Sequence, residues 1–135
     1  MGDDRAESIH VLLVDDNQAV RELARRVLIK QAWNVTEAAG GIEALEKARA
    51  SSTRVDVAVV DFFLADSQGT DVASELRIQF PGIYVIYITG DPGALPRHLP
   101  GRSWVLPKPF SPKQLVQAIR DARGDNAGAQ PASAG

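Results

Sequence analysis

The chain has 135 residues, 44% of them hydrophobic, which suffices for one sizeable core and leaves little room for a second domain. Fifteen basic against seventeen acidic residues give a net charge of -2, so the basic surface of a nucleic-acid binder is missing and direct DNA binding is not expected. Cysteine is absent, which excludes disulfides, thiolate metal sites and cysteine catalysis. No apolar stretch is long enough to span a bilayer, and residues 1–7 lack the apolar core of a signal peptide, so we expect a soluble cytoplasmic protein with a flexible N-terminus.

From residue 8 onward, short apolar runs alternate with helical periodicity, the pattern of βα units around a parallel sheet. Ile9 to Val14 reads as the first strand, and Val20, Leu23, Ala24, Val27 and Leu28 fall on one helix face behind it, with Asn17 placed to cap that helix. Asn34 to Ala38 reads as a weaker second strand, followed by Ile42, Leu45 and Ala48 on a helix that stops at Ser51-Ser52. The third strand runs from Val55 to Val60 and ends against Asp61. Val72, Ala73, Leu76 and Phe80 mark the helix after it, closed by Pro81-Gly82. Strand four is Ile83 to Ile88. The segment after it carries Gly90, Pro92, Gly93, Pro96, Pro100 and Gly101, so at most a turn or two of helix fits there. Strand five is Ser103 to Leu106, and Ser111, Pro112 and Gln114 spell a capping box for the last helix, with Leu115, Ala118 and Ile119 on its buried face. From Gly124 to Gly135 there is no apolar period, and a disordered tail is expected.

In folds of this class ligands sit outside the carboxyl ends of the strands, so the polar residues at those ends carry the functional information. They are Asp15 and Asp16 after strand one, Asp61 after strand three, Thr89 after strand four and Lys108 after strand five. Three carboxylates gathered at one edge repel one another, and a hard divalent cation held by oxygen ligands, Mg²⁺, relieves this at least cost. Lys108 adds a fixed positive charge and Thr89 a hydroxyl donor, which together suit a phosphoryl group on or beside a carboxylate.

With these residues in view, residues 8–123 resemble the receiver domains of two-component response regulators. The resemblance rests on Val11-Leu12-Leu13-Val14-Asp15-Asp16-Asn17, on Val59-Val60-Asp61-Phe62-Phe63-Leu64 followed by Gly69, on Ile88-Thr89, and on Pro107-Lys108-Pro109-Phe110. It implies a flavodoxin-like (CheY-like) doubly wound α/β fold with a five-stranded parallel sheet in the order 2-1-3-4-5, here with a shortened or irregular fourth helix. It implies that Asp61 takes a phosphoryl group from a sensor histidine kinase or a histidine phosphotransferase. By the same resemblance Asp16 and Asp61 ligate Mg²⁺ directly, Asp15 acts mainly through water, the Phe63 carbonyl is a further ligand, Thr89 and Lys108 bind phosphoryl oxygens, and the Lys108-Pro109 bond is cis. Such a chain is a signalling phosphoacceptor that catalyses its own phosphorylation and dephosphorylation, not an enzyme acting on other substrates. As a single-domain response regulator it signals through a downstream protein target.

Three departures from the family pattern matter. Ala65 stands where a proline usually follows the leucine, which is expected to change mainly the rigidity of that loop. Phe63, two residues beyond the acceptor, puts an aromatic group near the path of a hydrolytic water, so slow loss of the phosphoryl group is expected. Val105 occupies the position of the usual switch aromatic, and Trp104, displaced by one, should point to the other side of its strand. With the helix-poor segment after Thr89-Gly90, this resembles a single-domain alphaproteobacterial subgroup with a reduced fourth helix, and it implies a signal carried by ordering of the 90–101 loop.

Taken singly, each of these residues has an ordinary explanation. Asp15 or Asp16 can cap the first helix, Thr89 can satisfy a turn, and Lys108 can be a solvated charge. Their joint placement at four strand ends argues for the site. His10 and His98 are read as structural or solvent-facing, and Trp33 and Trp104 as packing residues. Two readings of other classes stay open. A hydrolase with an aspartyl-phosphate intermediate normally shows Asp-x-Asp after strand one, where this chain has Asp15-Asp16-Asn17, and it carries a cap domain for which there is no room. A pseudo-receiver that binds partners without phosphorylation is the other.

Overall fold

The computed structural model describes residues 8–124. Five parallel strands, β1 (His10–Val14), β2 (Asn34–Ala38), β3 (Val57–Asp61), β4 (Tyr84–Thr89) and β5 (Ser103–Pro107), form one sheet in the order β2-β1-β3-β4-β5. Four helices flank it: α1 (Gln18–Lys30), α2 (Gly41–Ala50), α3 (Gly69–Gln79) and α4 (Pro112–Arg123). This is the doubly wound flavodoxin-like order expected from the sequence. The expected flexible residues 1–7 and the tail beyond Gly124 lie outside the described residues. Gly124 itself ends α4 in the left-handed region, at φ 84°, where glycine carries no Cβ penalty.

The continuous apolar runs of β1 and β3 follow from burial on both faces of the sheet. Leu12, Val14, Ala58, Val60, Val85 and Tyr87 pack under α2 and α3, against Ala44, Ala48, Val72, Ala73 and Leu76. Val11, Leu13, Val57, Val59, Ile86 and Ile88 pack on the other side, against Ala24 and Leu28 of α1 and Leu115, Ile119 and Ala122 of α4. Helix ends fall where the local chemistry puts them. Asn17 Oδ1 accepts the Val20 N–H at 3.2 Å, and Ser111 and Gln114 form both halves of the capping box.

Several strand limits shift by one or two residues from the sequence expectation: β1 starts at His10, β3 at Val57 and β4 at Tyr84, while β3, β4 and β5 each end one residue later, at Asp61, Thr89 and Pro107. Val55 is buried, but the β3 ladder starts only at Val57; at Asp56 the side chain accepts the His10 N–H at 2.9 Å and the backbone N–H donates to the His10 carbonyl at 2.9 Å. β4 runs one residue further, to Thr89, which pairs with Pro107 of β5. Between β4 and β5 the described chain forms only a 3₁₀ turn, Pro92–Ala94. Leu95 and Leu99 pack on the α2/α3 side of the core in place of a helix face.

His10 bridges Thr36 and Thr53 through its two ring nitrogens, at 2.7 and 3.1 Å, a structural role as expected. Trp104 packs on the α1/α4 side against Tyr84, while its neighbour Val105 stands in register with Tyr87, whose side chain lies on the opposite face. No helix among the described residues is long and apolar enough to cross a membrane.

Candidate functional site

The sheet order reverses between β1 and β3, and the crevice at their carboxyl ends is where a doubly wound fold exposes a site. The sequence puts Asp15 and Asp16 just beyond β1 and Asp61 at the last position of β3. One carboxylate oxygen from each of the three lies within 4.8 Å of the others. Asp15 is fully buried, Asp61 is 7% exposed, and Asp16 opens to solvent. Burial pushes the Asp15 carboxyl above its ordinary range, although the Asn17 N–H and the Lys108 ammonium oppose that shift.

Lys108 enters from the end of β5. Its own N–H donates to the Thr89 carbonyl at 2.7 Å, and the cis Lys108-Pro109 bond follows it. Its Nζ lies 3.1 Å from Asp61 Oδ2, in a hydrogen bond, and 3.2 Å from Asp15 Oδ2. The second contact is an ion pair off hydrogen-bond alignment, so the buried Asp15 Oδ2 is held by the Lys108 charge alone. Burial disfavours the Lys108 charge, but the Asp61 and Asp15 carboxylates outweigh it and hold the ammonium above the usual lysine range.

Three of the remaining oxygens are held by main-chain donors. Asp15 Oδ1 accepts from Asn17 N at 2.8 Å, Asp61 Oδ1 from Phe63 N at 3.1 Å, and Asp16 Oδ2 from Ala65 N at 3.1 Å. Thr89 is fully buried, and its Oγ1 accepts the Asp91 N–H at 3.0 Å, which leaves its own proton to donate. The Phe63 side chain is half exposed and stacks edge-on against Phe62 at 4.8 Å between ring centroids.

All the strand-end residues singled out in the sequence thus meet at one edge. An all-oxygen donor set, with the buried Asp15 Oδ2 held only by an ion pair, fits a hard divalent cation. Three carboxylates against one ammonium leave two negative charges uncompensated, which such a cation balances.

Sequence reasoning missed two supports of this site. Arg21 Nη1 donates to the Asp15 carbonyl at 2.7 Å, and Asp66 accepts from the N–H groups of Gly41 and Ile42. Arg21 sits one residue outside the apolar stripe of α1, and no local pattern ties it to Asp15. Asp66 had no sequence signal linking it to α2; in the structure a Cβ on Gly40 would stand 2.9 Å from its carboxylate, and one on Gly41 would run into Ser67 Oγ.

A family model described as the response regulator receiver domain matches residues 11–120. The chain is 38% identical over 121 residues to the sensor kinase CckA of Brucella abortus, covering 87% of this chain and 13% of that protein. It is 33% identical over 117 residues to the probable transcriptional regulatory protein TcrX of Mycobacterium tuberculosis, covering 84% and 49%. The chain therefore spans half or less of the length of these curated relatives. Among solved structures, the receiver domain of the hybrid histidine kinase CckA superposes with a TM-score of 0.73 at 27% identity, covering 84% of this chain and 97% of that one. Vibrio cholerae chemotaxis protein CheY4 superposes with a TM-score of 0.76 at 25% identity, covering 85% and 98%.

Proposed function

The chain belongs to the response regulator receiver family, and on that premise we propose that Asp61 is its phosphoacceptor, charged from a phosphohistidine of a sensor kinase or phosphotransferase in the cytoplasm. The observation that carries this reading is the convergence of Asp61, Asp15, Asp16 and Lys108: a carboxylate at a strand end, with a fixed ammonium 3.1 Å away and two further acids beside it.

An Asp61 oxygen attacks phosphorus in line, the P–N bond to the donor imidazole breaks, and the imidazole nitrogen keeps the electron pair. Such a transfer needs positioning and charge neutralisation more than an added base. Asp61 is positioned by the Phe63 N–H on one oxygen and by Lys108 on the other. Asp16, Asp61 and the Phe63 carbonyl are the residues that would hold Mg²⁺ directly, with Asp15 acting through water. Bound there, the ion would neutralise charge on the transferring phosphoryl oxygens. Lys108 and the Thr89 hydroxyl take the phosphoryl oxygens of the product.

Partner contact is supported by a shallow apolar cavity of about 420 Å³ formed by Val20, Leu23, Pro109 and Phe110 beside Lys108. Arg25, Arg26, Lys30 and Lys113 border the neighbouring groove between α1 and α4. An apolar patch next to the acceptor, edged by cations, suits a helical partner that presents a phosphohistidine. The likeness to the receiver of a hybrid kinase supports a place in a relay.

The readout follows from Thr89. Its oxygen holds the Asp91 N–H at the start of the 90–101 segment, so a Thr89 drawn toward a phosphoryl group pulls on that segment and reorders it before a downstream protein. Transfer is tested by mixing the chain with a panel of phosphorylated histidine kinases and phosphotransferases for seconds. A cognate donor loses its label to wild type and not to Asp61→Ala. Label arriving equally on both proteins overturns the assignment.

A further inference from the structure

The loop between β3 and α3 is tied down at both ends and in the middle. At its start Phe63 N donates to Asp61 Oδ1, and at its end Gly69 N donates to the Phe62 carbonyl at 2.7 Å. The Gly69 main chain runs so close to residues 61 and 62 that a Cβ there would stand 2.8 Å from the Asp61 carbonyl oxygen. In the middle, two carboxylates that belong to different parts of the chain hold it. Asp16 Oδ2 accepts the Ala65 N–H at 3.1 Å. The Asp66 carboxylate reaches outward instead, accepting Gly41 N at 2.9 Å and Ile42 N at 3.2 Å, with Ser67 Oγ donating to the same Oδ1 at 2.9 Å.

These contacts complement one another chemically. The N-cap of helix α2 is Gly40, which has no side chain to satisfy the first N–H groups of the helix, and Asp66 supplies that cap from another element. The same bond fixes residue 66, and therefore the adjoining amide of Ala65, relative to the body of the domain. The Ala65 N–H exists only because this position is not proline, since proline has no donor. The departure at position 65 thus adds a hydrogen bond to Asp16 beyond the change in loop rigidity expected from the sequence.

We propose that the Ala65 N–H, held in place by the Asp66 clamp on α2, is a positioning element that orients the Asp16 carboxylate toward the cation. This rests on the reading of Asp16 as a Mg²⁺ ligand and of Asp61 as phosphoacceptor. Asp16 is the solvent-open member of the carboxylate cluster, so its rotamer is the one that most needs an outer partner. Hydrogen bonds to the outer oxygen of a ligating carboxylate restrict its rotation and favour the ligating geometry.

The test is Mg²⁺ titration of the full chain by calorimetry, with the Ala65 amide followed in parallel by ¹H–¹⁵N spectra. Proteins compared are wild type, Ala65→Pro, Asp66→Ala and Asp66→Asn, each checked for fold by circular dichroism. Loss of the donor or of its clamp should weaken Mg²⁺ binding by roughly 10-fold, the usual scale for an outer-shell partner. Asp66→Asn, which keeps one acceptor oxygen, should fall between wild type and Asp66→Ala. A fifth protein, combining Ala65→Pro with Asp66→Ala, should be no weaker than the worse single variant, because both changes release the same bond. Dissociation constants for Asp66→Ala and Ala65→Pro within twofold of wild type, or tighter, overturn the proposal, and Asp66→Ala decides it alone if Ala65→Pro does not fold. A wild type that binds Mg²⁺ but takes no label on Asp61 from acetyl phosphate overturns the phosphoacceptor reading only, and the positioning claim still stands or falls on the constants. A wild type that binds no Mg²⁺ overturns both.

Discussion

Replacing Lys108 with alanine should destabilise the metal-free protein and yet tighten its grip on Mg²⁺. The ammonium lies 3.1 Å from Asp61 and 3.2 Å from Asp15, and it is the only cation in contact with those carboxylates among the described ion pairs. Without it, two carboxylates, one fully buried and one 7% exposed, face each other with oxygens no more than 4.8 Å apart. At that distance two unit charges in a medium of effective dielectric near 20 repel by about 3 kcal/mol. Removing one partner of a buried pair generally costs about 3–5 kcal/mol, and the partial exposure of Lys108 places this case near about 2–3 kcal/mol. The site then carries three uncompensated negative charges in place of two, so a divalent cation should bind at least roughly tenfold more tightly, about 1.4 kcal/mol. If Mg²⁺ is added at about ten times the wild-type dissociation constant, it contributes about 1.4 kcal/mol to wild-type stability and about 2.7 kcal/mol to the variant. Urea unfolding with and without Mg²⁺, followed by the fluorescence of Trp33 and Trp104, measures both numbers. A Mg²⁺-induced stabilisation in Lys108→Ala equal to or smaller than that of wild type would refute the electrostatic reasoning.

Three further outcomes are expected. Phe63→Asn places a hydrogen-bonding side chain where a half-exposed ring now stands, and should speed loss of the phosphoryl group by roughly tenfold, the worth of one aligned hydrogen bond to the attacking water; an unchanged dephosphorylation rate removes the shielding role of Phe63. Tyr87 is fully buried and its hydroxyl faces Arg77 and Ser103 without an aligned hydrogen bond, so Tyr87→Phe should leave stability unchanged or raise it by about 1 kcal/mol, and a loss of about 1 kcal/mol or more on chemical denaturation would mean that these neighbours bond the hydroxyl. The Gly41 and Ile42 N–H groups hold the Asp66 carboxyl below the usual range, so its stabilising effect is complete above its unfolded pKa and is lost as pH falls through the lower folded value. The stability gap between wild type and Asp66→Ala should therefore be constant near neutral pH and close below about pH 4, as read from denaturation midpoints across an acid series.

What was legible in the sequence is what is local or periodic. Asn17 and the Ser111 box cap their helices because capping involves only the neighbouring three or four residues. The absence of a helix between β4 and β5 was written in the prolines and glycines of that segment, but not its anchoring by Leu95 and Leu99, which depends on a core assembled elsewhere. The candidate site was legible because a parallel sheet sends all its carboxyl ends to one edge, so the polar residue after each strand could be read off without knowing any distance. Asp66 was not legible, since its partners lie 25 and 24 positions away and no period links them. Trp104 shows the limit between the two: strand alternation gave its side, while the edge-on contact with Tyr84 that holds it there belongs to the packed sheet.

The central claim is that Asp61 is a self-phosphorylating acceptor whose chemistry depends on the oxygen cluster around it. Intact-mass spectrometry after incubation with acetyl phosphate and Mg²⁺ tests it most directly. Wild type should gain one phosphoryl group stoichiometrically, a gain lost on chelation of the metal before the donor is added and absent from Asp61→Ala. No mass gain on wild type, or an equal gain on Asp61→Ala, would contradict it.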